Sequence, residues 1–173
     1  MKISILYRFL IVFSTIVLIA FSACKKEKVD EQENLNVLKI RIGSSTFVWS
    51  DTDGAGGAAP KIDTIKLTPN GSFSSELIIQ DGSASPTKDF TLEIVAEKND
   101  HLFIYKTTGG ISVTDLSMDT NGKAFGQTAT VKTTAVGSGS MNIILKHLPN
   151  KSAMDPSTTG ETDMDVSFPV VIK

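Results

Sequence analysis

The chain has 173 residues, a formal net charge of −2, and 40% hydrophobic but only 7% aromatic residues. This length suits one domain with a hydrophobic core and is short for two. No basic patch interleaved with aromatic residues occurs in the sequence, which argues against nucleic acid as a partner.

The first 23 residues have the layout of a bacterial secretion signal and do not belong to the predicted fold. Lys2 and Arg8 supply a positive start, and an almost uncharged run of 15 residues follows over positions 9–23. A transmembrane helix needs roughly 20 apolar residues, so this run is short for one. Cys24 follows the run and is the only cysteine in the chain, which excludes an intramolecular disulfide.

The end of this run, where small residues precede a cysteine, resembles the lipobox of bacterial lipoproteins. The resemblance implies cleavage before Cys24, acylation of that residue and a lipid anchor in the outer membrane. Bacteroidetes lipoproteins that face the outside of the cell often carry an acidic stretch after the cysteine. Here three lysines within positions 25–28 come first, so periplasmic and surface exposure both stay open.

Residues 24–36 predict a flexible tether. They are highly charged and carry few large apolar side chains, so they cannot bury enough surface to become ordered. The folded domain is therefore expected over residues 37–173.

The remainder of the chain predicts β-strands. Short segments with alternating apolar and polar residues, many of them β-branched or aromatic, are separated by Gly, Asn, Asp and Pro. The predicted strands cover 37–42, 46–49, 61–68, 72–80, 90–96, 102–106, 111–116, 124–133, 141–148 and 164–172. About 8–10 strands at this spacing are typical of an antiparallel β-sandwich, and an immunoglobulin-like arrangement is expected.

The segment WSDTDGAGGAAP, residues 49–60, is the first candidate metal site. Asp51, Asp53 and Gly54 form a D-x-D-G pattern that supplies carboxylate oxygens and a sharp turn, as calcium loops do. Asp, Asn and Gly also dominate ordinary turns, because they bond their own backbone and tolerate positive φ. A structured loop between two strands is the first interpretation, and calcium at Asp51 and Asp53 is the second. The same choice applies to Asp119, Asn121 and Gly122, where the turn is favoured more strongly.

The two histidines of the chain are the second candidate metal site. His147 shares a predicted inner face with Met141, Ile143 and Leu145, and His101 opens a strand directly after EKND. Imidazoles from neighbouring strand ends can ligate zinc or copper, or both axial positions of a haem, and Asp100 could add an oxygen. The alternative is two structural histidines that bond backbone carbonyls.

The sequence contains few features of an enzyme active site. No cysteine remains as a nucleophile after lipidation, and the G-x-S-x-G and H-E-x-x-H patterns do not occur. Asp163 and Asp165 alternate with Met164 and Val166, as on a solvent-facing side of a strand. The sequence predicts a protein that is not an enzyme.

Four stretches in this order resemble small lipoproteins of Bacteroidetes that are often labelled "type 1 periplasmic binding fold superfamily protein". They are SDTDGAGGAAP (50–60), EKNDHLFIY (97–105), LKHLPNKSA (145–153) and GETDMDVSFPVVI (160–172). The resemblance extends over about residues 38–172 and implies a shared role for Asp51, Asp53, His101 and His147. It also implies an association with TonB-dependent outer-membrane receptors, which import metals, haem or siderophores. The label names a two-lobed α/β fold, whereas the strand pattern predicts an all-β domain.

These observations predict a lipid-anchored binding module that captures a metal ion or haem for such a receptor. The alternative is a structural or adhesion module of the envelope that binds protein or glycan.

Overall fold

A computed structural model describes residues 34–54 and 56–173. The predicted signal peptide, Cys24 and most of the predicted tether lie outside the described residues. The end of the predicted tether is part of the folded domain. Asn36 is buried, its side chain donates to Asp81 and it accepts a hydrogen bond from the backbone N–H of Gly82.

The described residues form eleven strands, one α-helix and one short 3₁₀-helix. The strands are β1 (Val37–Ile42), β2 (Ser45–Ser50), β3 (Lys61–Ile62), β4 (Ile65–Leu67), β5 (Ser72–Asp81), β6 (Lys88–Asp89), β7 (His101–Thr107), β8 (Ile111–Thr114), β9 (Thr128–Thr133), β10 (Gly137–His147) and β11 (Glu161–Ile172). The α-helix is α1 (Thr91–Ala96), and the 3₁₀-helix covers Pro156–Thr158.

The strands form two sheets. The large sheet has the order β3-β2-β1-β5-β9-β8, with β6 paired to β5, and the small sheet has the order β4-β11-β10-β7. The strand pairs are antiparallel except for β4 and β11, which run parallel. This arrangement confirms the predicted all-β, antiparallel sandwich, and an immunoglobulin-like topology stays a prediction.

The core lies between the inner faces of the two sheets, where alternate residues of each strand are buried. The central strands contribute Leu38, Ile40, Ile42, Leu77, Ile79, Met141, Ile143, Leu145, Val166, Phe168 and Val170. Burying each such side chain stabilises the fold by about 1.5–3 kcal/mol. His147 stands two residues beyond Leu145 on β10 and stacks on the buried His101, so it lies on the inner face predicted from the alternation.

The predicted strand over 61–68 is in fact two short strands in different sheets. β3 extends the large sheet beside β2, and β4 joins the small sheet beside β11. The crossing occurs at Asp63, whose carboxylate accepts a hydrogen bond from the backbone N–H of Val48. Ile65 and Leu67 are buried in the core.

The predicted strand over 90–96 is wrong, because these residues form α1. Phe90 and Ile94 are buried and stand four positions apart on one helix face, whereas Leu92 is 81% exposed. A run this short fits both a period of 2 and a period of 3.6, so its alternation could not decide between strand and helix. Within residues 34–54 and 56–173, no helix has the length and hydropathy needed to span a membrane.

The residues 148–160 connect β10 to β11 and are here called the 148–160 loop. Lys146 is buried on the outer face of the small sheet, and its ammonium donates to the carbonyl oxygen of Gly160 and to the hydroxyl of Thr162. Leu102 and Ile144 are buried on the same face. The end of β10 that carries His147 is thus held from the outer side as well as from the core.

Candidate functional site

The structure brings the two histidines together. β7 and β10 are antiparallel neighbours, and their register places His101 directly opposite His147 at the end of the small sheet. Both side chains lie on the inner face, one step beyond Phe103 and Leu145. The two imidazole rings stack with centroids 4.9 Å apart and planes 14° apart.

His101 is held firmly at the start of β7. The residue is only 3% exposed, and its Nδ1 lies 3.1 Å from the carbonyl oxygen of Glu97. A carbonyl oxygen can only accept, so Nδ1 donates this hydrogen bond and the neutral ring carries its lone pair on Nε2. This backbone contact is the one expected for a structural histidine, and it is also the outer-shell contact typical of histidines that ligate metals.

A β-bulge adds a carboxylate to the pair. Leu145 of β10 pairs with Met164 of β11, and the next residue, Lys146, pairs with Thr162. Asp163 is therefore an extra, unpaired residue on β11. The bulge brings Oδ2 of Asp163 to 3.9 Å from Nε2 of His101. Asp163 is therefore not on the solvent-facing side that the alternation predicted. No sequence pattern marks this bulge, so the alternation gave no sign that Asp163 turns toward the histidines.

The environment of Asp163 is unfavourable for a carboxylate. Burial raises its pKa above the ordinary value of 3.8, while the positive charges that His147 and His101 can carry act in the opposite direction. Oδ2 is shielded from solvent and finds no hydrogen-bond donor among the residues that the structure describes. A buried acceptor without a donor is uncommon and costly. We call His101, His147 and Asp163 the His–Asp cluster.

The stacked arrangement limits what the two histidines can bind in their present orientation. Nitrogen lone pairs lie in the ring plane, so nearly parallel stacked rings direct them side by side and not toward one point. A haem ligated by both rings needs its iron between them, which requires the stack to separate. Accordingly, the described part of the chain contains no ready-made group of three or more His, Cys, Asp or Glu side chains able to hold a metal ion.

Asp100 does not supply the carboxylate beside the rings. Its side chain is exposed, and its backbone carbonyl oxygen accepts a hydrogen bond from the N–H of Leu148. This contact joins the turn before β7 to the residue after β10. It therefore braces the two strand ends that carry His101 and His147.

Asp51 and Asp53 lie in the loop between β2 and β3, as predicted. Oδ2 of Asp53 accepts a hydrogen bond from the N–H of Ala58, 2.8 Å away, which closes the loop on itself. This backbone N–H is the main cause that lowers the pKa of Asp53 below its ordinary value. Oδ1 of Asp51 is shielded from solvent and lacks a hydrogen-bond partner within the described residues. The loop is structured, and calcium at these two aspartates stays a prediction.

The second oxygen-rich turn uses its aspartate internally. Oδ1 of Asp119 accepts hydrogen bonds from the backbone N–H groups of Asn121 and Lys123, and Oδ2 accepts one from the ammonium of Lys151. Both carboxylate oxygens are therefore engaged, as in an ordinary Asx turn.

Two members of the His–Asp cluster, His101 and His147, were candidate ligands from the sequence, and the structure adds Asp163. Asp51 and Asp53 lie in the loop between β2 and β3 of the large sheet, whereas the His–Asp cluster is carried by strands of the small sheet. Comparison of the chain with models of protein families, with curated proteins and with solved structures returns no match.

Proposed function

We propose that this protein is a lipid-anchored, non-enzymatic binding module of the bacterial outer membrane that captures a metal ion. The observation that supports the proposal is the His–Asp cluster. It joins two imidazoles and a carboxylate from three strands at one end of the sandwich. Nitrogen and oxygen donors of this kind suit zinc, copper and similar divalent ions.

Within this proposal, Cys24 carries the acyl chains and residues 25–33 connect the anchor to the domain. The tether lets the domain reach a TonB-dependent receptor in the same membrane, to which it delivers the ion. The resemblance to small Bacteroidetes lipoproteins supports this partner.

Binding is tested on the full chain, purified in detergent and stripped with a chelator. Titration with zinc, copper(II) or haem in a calorimeter is expected to give one metal ion per chain. The double variant His101→Gln/His147→Gln, checked for folding by circular dichroism, is expected to abolish this binding. Absence of heat with every ligand in the wild-type protein contradicts metal capture.

Anchoring is tested separately. Cys24→Ala is expected to prevent incorporation of radiolabelled palmitate and to remove the protein from the outer-membrane fraction. Retention of both label and membrane association in this variant contradicts lipidation at Cys24.

A structural or adhesion role is the second candidate. The 148–160 loop exposes Leu148 and Met154, and Met118 is exposed on the neighbouring turn. Apolar side chains on protruding loops favour contact with another protein. Cross-linking in intact cells distinguishes the two roles, because recovery of a TonB-dependent receptor supports ion delivery and recovery of matrix components alone supports adhesion.

A further inference from the structure

Two hydrogen-bond acceptors face each other inside the His–Asp cluster. The hydrogen bond from Nδ1 of His101 to Glu97 leaves a lone pair on Nε2, and Oδ2 of Asp163 stands 3.9 Å away. Oδ2 is shielded from solvent and receives no hydrogen bond from the residues that the structure describes. The electrostatics of this pair favour a positively charged species between the two atoms.

The spacing of the two atoms suits a divalent metal ion. Zinc bonds imidazole nitrogen at about 2.0–2.1 Å and carboxylate oxygen at about 2.0–2.2 Å. Two such bonds span 3.9 Å with a wide nitrogen–metal–oxygen angle, and a tetrahedral angle is reached when the atoms approach by about half an ångström. A rotation of the Asp163 side chain on its bulge supplies a movement of this size.

The third ligand is available from His147. Its ring lies at the end of β10, is more exposed than that of His101, and stacks on the His101 ring with centroids 4.9 Å apart. Completing the site requires the His147 ring to rotate out of the stack, so that one of its nitrogens joins Nε2 of His101 and Oδ2 of Asp163. Three protein ligands leave one tetrahedral position open for water or for a receptor's own ligand.

We propose that Nε2 of His101 and Oδ2 of Asp163 are the primary ligands of a zinc-class divalent ion, and that His147 turns to complete the site. This inference rests on the proposed function and adds to it the ligand set and the class of ion. The set contains two nitrogens and one oxygen, which favours zinc or copper(II) over calcium and magnesium. The bulge at Asp163 then has a function, because regular pairing would direct this carboxylate away from the histidines.

The test compares Asp163→Asn with Asp165→Asn in the full chain after removal of metal by a chelator. Asp165 is an exposed carboxylate two residues further along the same strand, so its variant is the matched control. Calorimetry with zinc is expected to show a loss of at least tenfold in affinity for Asp163→Asn and His101→Gln, a smaller loss for His147→Gln, and no change for Asp165→Asn.

Electron paramagnetic resonance of the copper(II) complex gives an independent readout. Two coupled nitrogens are expected in the wild-type protein and in Asp163→Asn, and one in His147→Gln. Nitrogen couplings that stay at two in His147→Gln overturn the role of His147.

The outcomes separate this inference from the proposed function. Zinc binding that is equal in the wild-type protein and Asp163→Asn, but lost in the histidine variants, overturns the role of Asp163 and leaves metal capture standing. Absence of zinc and copper binding in the wild-type protein overturns both. A pH titration of the Asp163 carboxyl signal that is the same with and without added metal also overturns the inference.

Discussion

Lys151 and Asp119 form a buried ion pair that holds the candidate site in place. The ammonium of Lys151 donates to Oδ2 of Asp119 across 3.0 Å, and both side chains are almost completely shielded from solvent. The same ammonium donates to the backbone carbonyl oxygen of Lys98, in the turn that leads into His101. The 148–160 loop, which follows His147, is thereby fastened to the turn that precedes His101.

Removal of the cation is expected to destabilise the domain. Lys151→Met keeps most of the side-chain volume but leaves the Asp119 carboxylate buried without its positive partner. We expect a thermal midpoint lower by several degrees at neutral pH, measured by circular dichroism. Lys123→Met is the control, because Lys123 belongs to the same turn and its side chain is exposed. Equal midpoints for the two variants would contradict a stabilising role for the ion pair.

The stabilisation by Asp119 is expected to depend on pH. Burial acts to raise its pKa, but the backbone N–H of Lys123 and the side chain of Lys151 outweigh it and hold the pKa below the ordinary value of 3.8. A lowered pKa in the folded state means that the stabilisation is present above pH 3.8 and is lost as the pH falls through the folded value. The difference between wild-type protein and Lys151→Met should therefore shrink in acid. A difference that grows below pH 3.8 contradicts this assignment.

Asp163→Asn is expected to stabilise the metal-free protein at neutral pH. The raised pKa of Asp163 means that its carboxyl favours the folded state below pH 3.8 and opposes it as the pH rises through the folded value. The amide of Asn can donate to Nε2 of His101, so we expect a gain of about 1 kcal/mol in the free energy of unfolding at pH 7. The gain should disappear near pH 3.

Urea unfolding in the presence of a chelator measures this gain at both pH values. Asp165→Asn is expected to change the free energy of unfolding by less than about 0.5 kcal/mol. A loss of stability in Asp163→Asn at pH 7 would show that the carboxylate is satisfied in solution.

Substitutions in α1 test its helical assignment. Ile94→Ala is expected to cost about 2–5 kcal/mol because Ile94 is fully buried, whereas Leu92→Ala should change stability by less than about 0.5 kcal/mol. A strand would place both side chains on the same face and make the two costs similar. Chemical denaturation of the two variants measures the difference.

Calcium binding to the loop between β2 and β3 is tested by thermal melts in calcium and in chelator. Oδ1 of Asp51 has no hydrogen-bond partner within the described residues, whereas Oδ2 of Asp53 already accepts from the N–H of Ala58. Calcium bound there raises the thermal midpoint of the wild-type protein and not that of Asp51→Asn. An unchanged midpoint in the wild-type protein ends the calcium prediction.

Much of the fold could be predicted from the sequence because alternation is a local signal. The predicted strands over 37–42, 72–80 and 141–148 lie in strands of the structure, and Met141, Ile143 and Leu145 lie on the predicted inner face. The run over 90–96 alternates as well, but Phe90 and Ile94 also fit a helical period of 3.6, so the alternation could not decide between strand and helix. The helix α1 forms because Phe90 and Ile94 pack into the core, and this tertiary contact cannot be predicted from the local sequence.

The candidate site could be predicted only in part. The inner face of His147 followed from its spacing to Leu145, but its pairing with His101 depends on the order of the strands. Asp163 could not be found, since its position depends on a bulge that shifts the register between β10 and β11 by one residue. A carboxylate that alternates with apolar neighbours gives no local sign that it turns inward.

The position of β1 determines how the domain bears mechanical load. Asn36 fixes the entry of the chain, and β1 follows at once in the interior of the large sheet, with β2 hydrogen-bonded along one edge and β5 along the other. A pull along β1 from the amino-terminal side shears both ladders together instead of peeling one strand from an edge. Six paired residues on each side must then give way at the same time, so the domain is built to resist tension on the segment that precedes it.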